Sequence, residues 1–100
     1  MKQIVNIINQ VFEMEKKLQN GASATLQRHL DRIKSELSDL GYEYHTPLNE
    51  KYDETRTDCE ASIVGQARGR MVITEVIKPI VHQKEGGTNR IVQKGIVVVE

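Results

Sequence analysis

Apolar residues recur at alternating intervals of three and four along the first forty residues, and this period predicts two amphipathic α-helices. The first helix is expected over residues 2–18, and the spacing of its apolar seam is typical of a coiled coil. The seam consists of Ile4, Ile7, Val11, Met14 and Leu18, with Ile8 and Phe12 beside it. An apolar face of this width favours packing against several helices. Asn20 and Gly21 are expected to end the helix, because both accept a left-handed conformation.

The second helix is expected to begin after Ser23, a suitable N-cap, and to end at Gly41. Its seam consists of Leu26, Leu30, Ile33, Leu37 and Leu40. Two helices joined by a short loop form a hairpin, and apolar surface is left over after the two seams have paired. We therefore expect two copies of the chain to form a dimeric four-helix bundle. The residues expected in its shared core are Ile4, Ile7, Ile8, Val11, Phe12, Met14, Leu18, Leu26, Leu30, Ile33 and Leu37.

After Gly41 the pattern changes, since residues 42–58 are polar and irregular and β-branched residues dominate from Cys59 onward. Strands are expected over residues 61–64, 71–77, 80–83, 90–92 and 96–99, with turns at residues 68–69 and 84–89. Pro79 implies an edge strand or a bulge, and Gly95 suggests another bulge. The sequence thus predicts an α+β protein. A helical hairpin at residues 1–41 forms the dimerisation region, and a small all-β head domain of about four to six strands follows at residues 42–100.

The charge and cysteine content narrow the classes of function. The chain has 14 Lys and Arg residues against 14 Asp and Glu residues, so its formal net charge is zero and no basic excess favours nucleic-acid binding. The single cysteine, Cys59, excludes an internal disulfide and suits a reducing compartment. No run of about 18 apolar residues and no signal-peptide pattern is present. These observations predict a cytoplasmic protein without a membrane contact.

Residue types that carry catalysis or bind metals do not occur at productive spacings. The three histidines and Cys59 stand far apart, and no pair has the spacing of a metal site. The carboxylates that flank Cys59 raise a thiol pKa, which disfavours a nucleophile. The glycine pair at residues 86–87 lacks the spacing and the lysine of a phosphate-binding loop. We therefore expect no catalytic residue, no metal and no cofactor.

Five basic residues of the β half are candidates for partner contacts, and some of them flank predicted turns. They are Arg68, Arg70, Lys84, Arg90 and Lys94. In a protein-binding module they would form a polar rim or an arginine anchor. In a nucleic-acid adapter they would contact phosphates, and affinity would then fall steeply with salt.

Four stretches of the sequence carry a resemblance to a known family. They are residues 26–44, the pair Tyr52-Asp53 followed by residues 59–61, the predicted strand at residues 73–77, and the closing pair of strands at residues 90–99. In this order they resemble GrpE, the nucleotide exchange factor of DnaK-type chaperones, from about residue 5 to residue 99. The chain differs from the family at Cys59, at Ile80-Val81 and at Gln93, and the long paired helix that precedes the bundle in GrpE has no counterpart here.

The resemblance implies a β head that binds beside the nucleotide cleft of the ATPase domain of a DnaK-type chaperone and holds the cleft open, so that ADP leaves. The partner-contacting positions that it implies are Ile77 on the central strand, Arg90 at the start of the closing hairpin and Val99 on the last strand. Since the differences at Ile80-Val81 and Gln93 lie in the head, the alternative is the same fold with a different protein partner.

Overall fold

The computed structural model describes residues 2–18, 24–65 and 70–100, and in these residues two α-helices precede a β-rich part. Helix α1 spans Lys2–Leu18 and helix α2 spans Ala24–Asp39. Both predicted helices and the α+β class are therefore confirmed. The predicted helix stop at residues 20–21, the predicted N-cap Ser23 and the predicted turn at residues 68–69 lie outside the described residues.

Gly41 ends α2 in the way that the sequence predicts. Its amide donates a hydrogen bond of 2.9 Å to the carbonyl oxygen of Ser38, and its φ of 93° lies in the left-handed region. The amide of Leu40 donates to the carbonyl oxygen of Glu36 at 3.1 Å. A left-handed residue at this position satisfies the last carbonyl groups of a helix and turns the chain out of the helical path. The first strand accordingly begins at the next residue.

The described residues of the β-rich part form seven strands in two sheets. The strands are β1 Tyr42–His45, β2 Lys51–Tyr52, β3 Cys59–Ile63, β4 Met71–Lys78, β5 Ile80–Glu85, β6 Thr88–Gln93 and β7 Gly95–Val99. One sheet has the order β1-β5-β6 and the other has the order β2-β4-β7-β3. All pairs are antiparallel except β3 and β7, which run parallel with Cys59 opposite Gly95.

Strands β1 and β2 correct the prediction that residues 42–58 are irregular. In β1, Tyr42 is buried and Tyr44 is half-buried, whereas Glu43 and His45 are exposed. This is the two-residue alternation of a strand with one buried face. Tyrosine alternating with polar residues carries a weaker hydrophobic signal than the β-branched runs that follow, and the short β1 and β2 were missed for that reason.

Pro79 and Gly95 occupy positions that differ from the predicted ones. Pro79 lies between β4 and β5, where the chain passes from one sheet to the other, so it removes no ladder hydrogen bond. Gly95 begins β7 and is not a bulge residue. A Cβ atom on Gly95 would lie 2.9 Å from Cγ1 of Ile80 and 3.3 Å from Sγ of Cys59. Close packing against these two side chains, rather than a bulge, therefore explains the glycine.

The helices and the strands share their hydrophobic core. Phe12 of α1 belongs to a cluster of buried residues that otherwise comes from the strands, namely Cys59, Ile73, Val76, Ile80, Val97 and Val99. In a second cluster, Ile8 of α1 and Leu37 of α2 pack with Tyr42 and Val81. The apolar side of the helical hairpin therefore lies against the β-rich part of the same chain.

This packing buries part of the predicted dimer core within a single chain. Five of the residues assigned to it are buried within the single chain: Ile8, Val11, Phe12, Leu30 and Leu37. The prediction assumed that only helices would cover the seams, whereas strand residues pack against Ile8, Phe12 and Leu37. Burial of these five residues therefore needs no second copy of the chain.

Candidate protein-interaction surfaces

The helical hairpin keeps an exposed apolar face after it has packed on the sheets. Ile7 and Met14 of α1 are 50% and 45% exposed, and Leu26 and Ile33 of α2 are 52% and 38% exposed. In each helix the two residues are seven positions apart, so they share one side of the helix. These four residues, called here the outer helix residues, belong to the predicted dimer core. Of the remaining predicted positions, Ile4 and Leu18 are half-buried.

The side chain of Ile77 is displaced from the regular pattern of β4. Val76 lies opposite Val97 and Lys78 lies opposite Ile96, so Ile77 is the extra residue of a β-bulge. A bulge bends its strand and changes the direction in which a side chain points. Ile77 is 45% exposed near the end of β4, where β7 is the paired strand and the short β2, which pairs only with Met71 and Val72, does not reach. An exposed isoleucine at this position is available for contact with another molecule.

The neighbours of Ile77 continue this surface. Glu75 lies opposite Val98, and Lys78 lies opposite Ile96. Residues directly opposite one another project from the same face of a sheet. Ile96 and Val98 are half-buried, and the two charged residues are exposed. The face therefore combines apolar side chains with a charged border, as protein-binding surfaces do.

Arg90 lies on the β5–β6 hairpin, in the other sheet. Gly86 and Gly87 form the two-residue turn with φ values of 58° and 80°, as in a type I′ turn. The predicted turn at residues 84–89 is therefore confirmed, although the strands continue to Glu85 and resume at Thr88. Nη2 of Arg90 donates a hydrogen bond of 2.8 Å to Oε1 of Gln83. Within the described residues no carboxylate forms an ion pair with Arg90.

Of the three partner-contacting positions that the resemblance implies, Val99 is buried, whereas Ile77 and Arg90 are exposed. Its side chain is 0% exposed and belongs to the core cluster around Phe12. In this conformation the side chain of Val99 cannot contact a partner, because β7 turns it toward the helices. Ile77 and Arg90 are both exposed, but they lie in different sheets.

A network of charged residues holds the segment between β1 and β3. Arg56 donates from Nη2 to Oε1 of Glu50 at 2.8 Å, from Nε to Oδ1 of Asp58 at 2.6 Å, and from Nη1 to the carbonyl oxygen of Lys51 at 3.0 Å. His45 contacts the other oxygen of Glu50. This set, called here the Arg56 network, was missed in the sequence because its members meet only through the folded backbone.

The Arg56 network shifts the pKa values of its carboxyl groups. Arg56 lowers the pKa of Asp58 by its hydrogen bonds, against a smaller opposing effect of burial. For Glu50, burial acts to raise the pKa, but the hydrogen bonds from Arg56 and His45 together outweigh it, so the pKa is lowered. Burial, reinforced by the charge of Asp58, raises the pKa of Cys59 to about 11. The Cys59 side chain is therefore a protonated thiol near neutral pH.

A cleft of about 520 Å³ lies between the helices and the strands. Glu15 of α1 lines it and accepts hydrogen bonds from the hydroxyl of Tyr44 and, at 3.3 Å, from Nζ of Lys34. Nζ of Lys16 donates to the carbonyl oxygen of Val76 at 3.2 Å. Through these hydrogen bonds the polar groups of the cleft connect the helices to β1 and β4. We therefore interpret the cleft as part of the packing between helices and strands.

The other basic candidates are dispersed over the β-rich part. Lys84 near the end of β5 pairs with Glu43 at 3.5 Å, whereas Arg70 precedes β4 and Lys94 lies between β6 and β7. Arg68 lies outside the described residues. The three histidines lie on α2, β1 and β5, and the described part of the chain contains no group of three potential metal ligands. No helix in that part is both long and apolar enough to cross a bilayer.

Comparison with models of known protein families, with curated proteins and with solved structures gives no match to this chain.

Proposed function

We propose that this chain is a GrpE-like co-chaperone that binds the ATPase domain of a DnaK-type chaperone and promotes the release of ADP. The observation that carries the proposal is the exposure of Ile77. It lies on a bulge of β4, beside a mixed apolar and charged sheet face, at a position that the family resemblance assigns to partner contact. The exposed Arg90, which has no acidic partner among the described residues, supports a second contact.

We further propose that the functional unit is a homodimer joined through the outer helix residues. Four apolar side chains that are 38% to 52% exposed lie on the side of the hairpin that the sheets do not cover. Apolar surface gains about 25 cal/mol for each Å² that is removed from water. A second hairpin would cover these side chains and complete a four-helix bundle. The zero net charge of the chain does not oppose self-association.

The mechanism follows from linkage between two binding equilibria. A protein that binds the open nucleotide cleft of an ATPase domain more tightly than the closed cleft shifts the population toward the open state. This protein must then weaken the binding of ADP by a certain factor, and ADP must weaken the binding of this protein by the same factor. This activity requires a rigid surface and no catalytic group in the exchange factor.

The test is the release rate of a fluorescent ADP analogue from a DnaK-type chaperone of the same organism, with and without this chain. We expect faster release with the wild-type chain. Ile77→Asp should abolish the acceleration without unfolding the protein, because the side chain is exposed. Val72→Asp is a matched control, since Val72 is 38% exposed on the same strand but is no bulge residue and has no family-assigned contact. No acceleration by the folded wild-type chain would refute the proposal.

A second candidate is an adapter of the same fold that binds a different protein. It is favoured by the packing of Phe12 and Ile8 into the core of the β-rich part, which joins the helices to the sheets instead of leaving them as a separate bundle. The rate of ADP release distinguishes the two candidate functions. An adapter would leave the ADP release rate unchanged, while Ile77→Asp would still abolish its capture of a cellular protein.

A further inference from the structure

One edge of β6 has no strand paired with it among the described residues. In the sheet β1-β5-β6, β5 is the only described strand that pairs with β6, whereas β1 at the other edge lies against α2. Four consecutive residues of β6, from Thr88 to Asn89, Arg90 and Ile91, are exposed. A strand edge presents unpaired N–H and C=O groups that can pair with another chain.

The register of the hairpin identifies the outward groups. Glu85 lies opposite Thr88 across the two-residue turn, followed by Lys84 opposite Asn89 and Gln83 opposite Arg90. In such a hairpin the closing pair exchanges both backbone hydrogen bonds, and hydrogen-bonded and non-hydrogen-bonded pairs then alternate. Thr88 and Arg90 therefore bond to β5, whereas Asn89 and Ile91 direct their N–H and C=O groups away from it.

The side chains on this edge indicate the chemistry of an incoming segment. Ile91 is 40% exposed and offers an apolar contact in the middle of the strand. The guanidinium of Arg90 is held by the neutral amide of Gln83 at 2.8 Å and forms no ion pair with any described carboxylate. A cation fixed in place in this way favours an acidic residue on the partner.

We infer that β6 is a strand-addition site. An extended segment of the partner protein pairs with the backbone of Asn89 and Ile91 and places an acidic side chain next to Arg90. The main-chain hydrogen bonds supply affinity, and the contacts with Arg90 and Ile91 supply specificity, as in other cases of strand addition. This inference rests on the proposed function, because it takes the ATPase domain of the DnaK-type chaperone as the partner.

The test compares two substitutions at one position. Ile91→Pro removes the outward N–H group, and proline is tolerated where the N–H group of an edge strand faces solvent. Ile91→Ala removes most of the side chain and keeps the N–H group. We expect Ile91→Pro to bind the isolated ATPase domain at least about tenfold more weakly than Ile91→Ala, which is the effect of losing one backbone hydrogen bond. Equal affinities of the two variants would overturn the inference.

Amide hydrogen exchange of the wild-type chain, measured by NMR, covers the case in which Ile91→Pro does not fold. In the free protein the amides of Asn89 and Ile91 should exchange quickly, and that of Arg90 slowly. In the complex the amides of Asn89 and Ile91 should become protected. Binding without this protection would overturn strand addition while leaving the proposed function intact. Absence of any binding by the folded wild-type chain would overturn both.

Discussion

The backbone amide of Lys84 donates a hydrogen bond of 2.7 Å to the carbonyl oxygen of Gly41, and the two residues approach so closely that Gly41 has no room for a side chain. A Cβ atom on Gly41 would lie 2.8 Å from the carbonyl oxygen of Lys84. The end of α2 is thereby joined to the end of β5. This contact fixes the direction in which the chain enters β1.

Gly41→Ala should therefore destabilise the protein strongly. The substitution places a β-carbon on a residue with a φ of 93°, and it also forces that carbon against backbone that cannot move aside. The left-handed conformation alone costs roughly 1–2 kcal/mol. We expect a total loss of at least about 2 kcal/mol in the free energy of unfolding, measured by urea denaturation.

Gly65→Ala is the matched control for Gly41→Ala. Gly65 has a φ of 82°, but a Cβ atom there would meet no atom of the described residues within 4 Å. Gly65→Ala should therefore lower the free energy of unfolding only by the cost of the left-handed conformation. Equal losses for the two variants would show that the contact with Lys84 contributes nothing.

Gly95→Ala tests close packing without left-handed strain. The new methyl group would overlap Cγ1 of Ile80 and press on Sγ of Cys59 in the core. Overpacking of this kind typically costs about 1–3 kcal/mol. We expect a lower thermal midpoint with an unchanged far-ultraviolet circular dichroism spectrum. A midpoint equal to that of the wild type would contradict the packing described for β7.

The Arg56 network makes stability depend on pH in the acid range. Glu50 and Asp58 have lowered pKa values in the folded protein, so the folded state favours their charged forms. Their contribution is fully present above the ordinary pKa values of about 4, and it is lost as the pH falls through the lowered values. Stability should therefore fall more steeply below about pH 4 in the wild type than in Arg56→Gln.

At neutral pH Arg56→Gln should itself cost about 1 kcal/mol or less, since these ion pairs are partly exposed to solvent. Urea denaturation at a series of pH values measures both effects. Parallel stability curves for the two proteins would show that Arg56 is not the cause of the lowered pKa values.

Ile33→Asp should separate the proposed dimer into folded monomers. Ile33 is one of the outer helix residues and is 38% exposed, so the charge remains hydrated in a single chain. In a dimer the same charge would be buried without a partner, which is strongly unfavourable. Sedimentation equilibrium gives the mass, and circular dichroism confirms the fold. A dimer that persists in Ile33→Asp would exclude this face as the interface.

Leu30→Asp provides the contrast, because Leu30 is 4% exposed within the chain. This variant should lose the fold itself. A folded Leu30→Asp monomer would contradict the burial of Leu30 against its own chain.

The helices could be predicted from the sequence because their seams repeat with a period that only a helix satisfies. The sequence could not predict which residues of each seam are buried within the chain and which stay exposed. Val11 is buried and Ile7 is exposed, although both satisfy the same spacing. An apolar residue at a seam position can pack against a helix or against a sheet, and the sequence pattern is the same in both cases.

The candidate surface was predictable only in part. Ile77 and Arg90 are exposed as a partner contact requires, but Val99, an equally apolar strand residue, is buried. Val99 lies opposite Ile73 on the buried face, whereas Ile77 follows the buried Val76 and projects from the other face, and which residues share a face depends on the register between β4 and β7. Register is a tertiary property that depends on side-chain pairs far apart in the chain. The Arg56 network could not be predicted for a related reason, since its residues meet only when the loop folds.

The parallel pairing of β3 with β7 has a consequence for the rate at which the protein folds. Cys59 and Gly95 are opposite one another, although more than thirty residues separate them in the chain. Contacts at long sequence separation must close a large loop before they gain any stabilisation, and proteins rich in such contacts fold slowly. The helical hairpin and the β5–β6 hairpin are local and need no such closure. The four-stranded sheet is therefore the slow part of the molecule, and the bulge at Ile77 forms only when β4 has paired with β7.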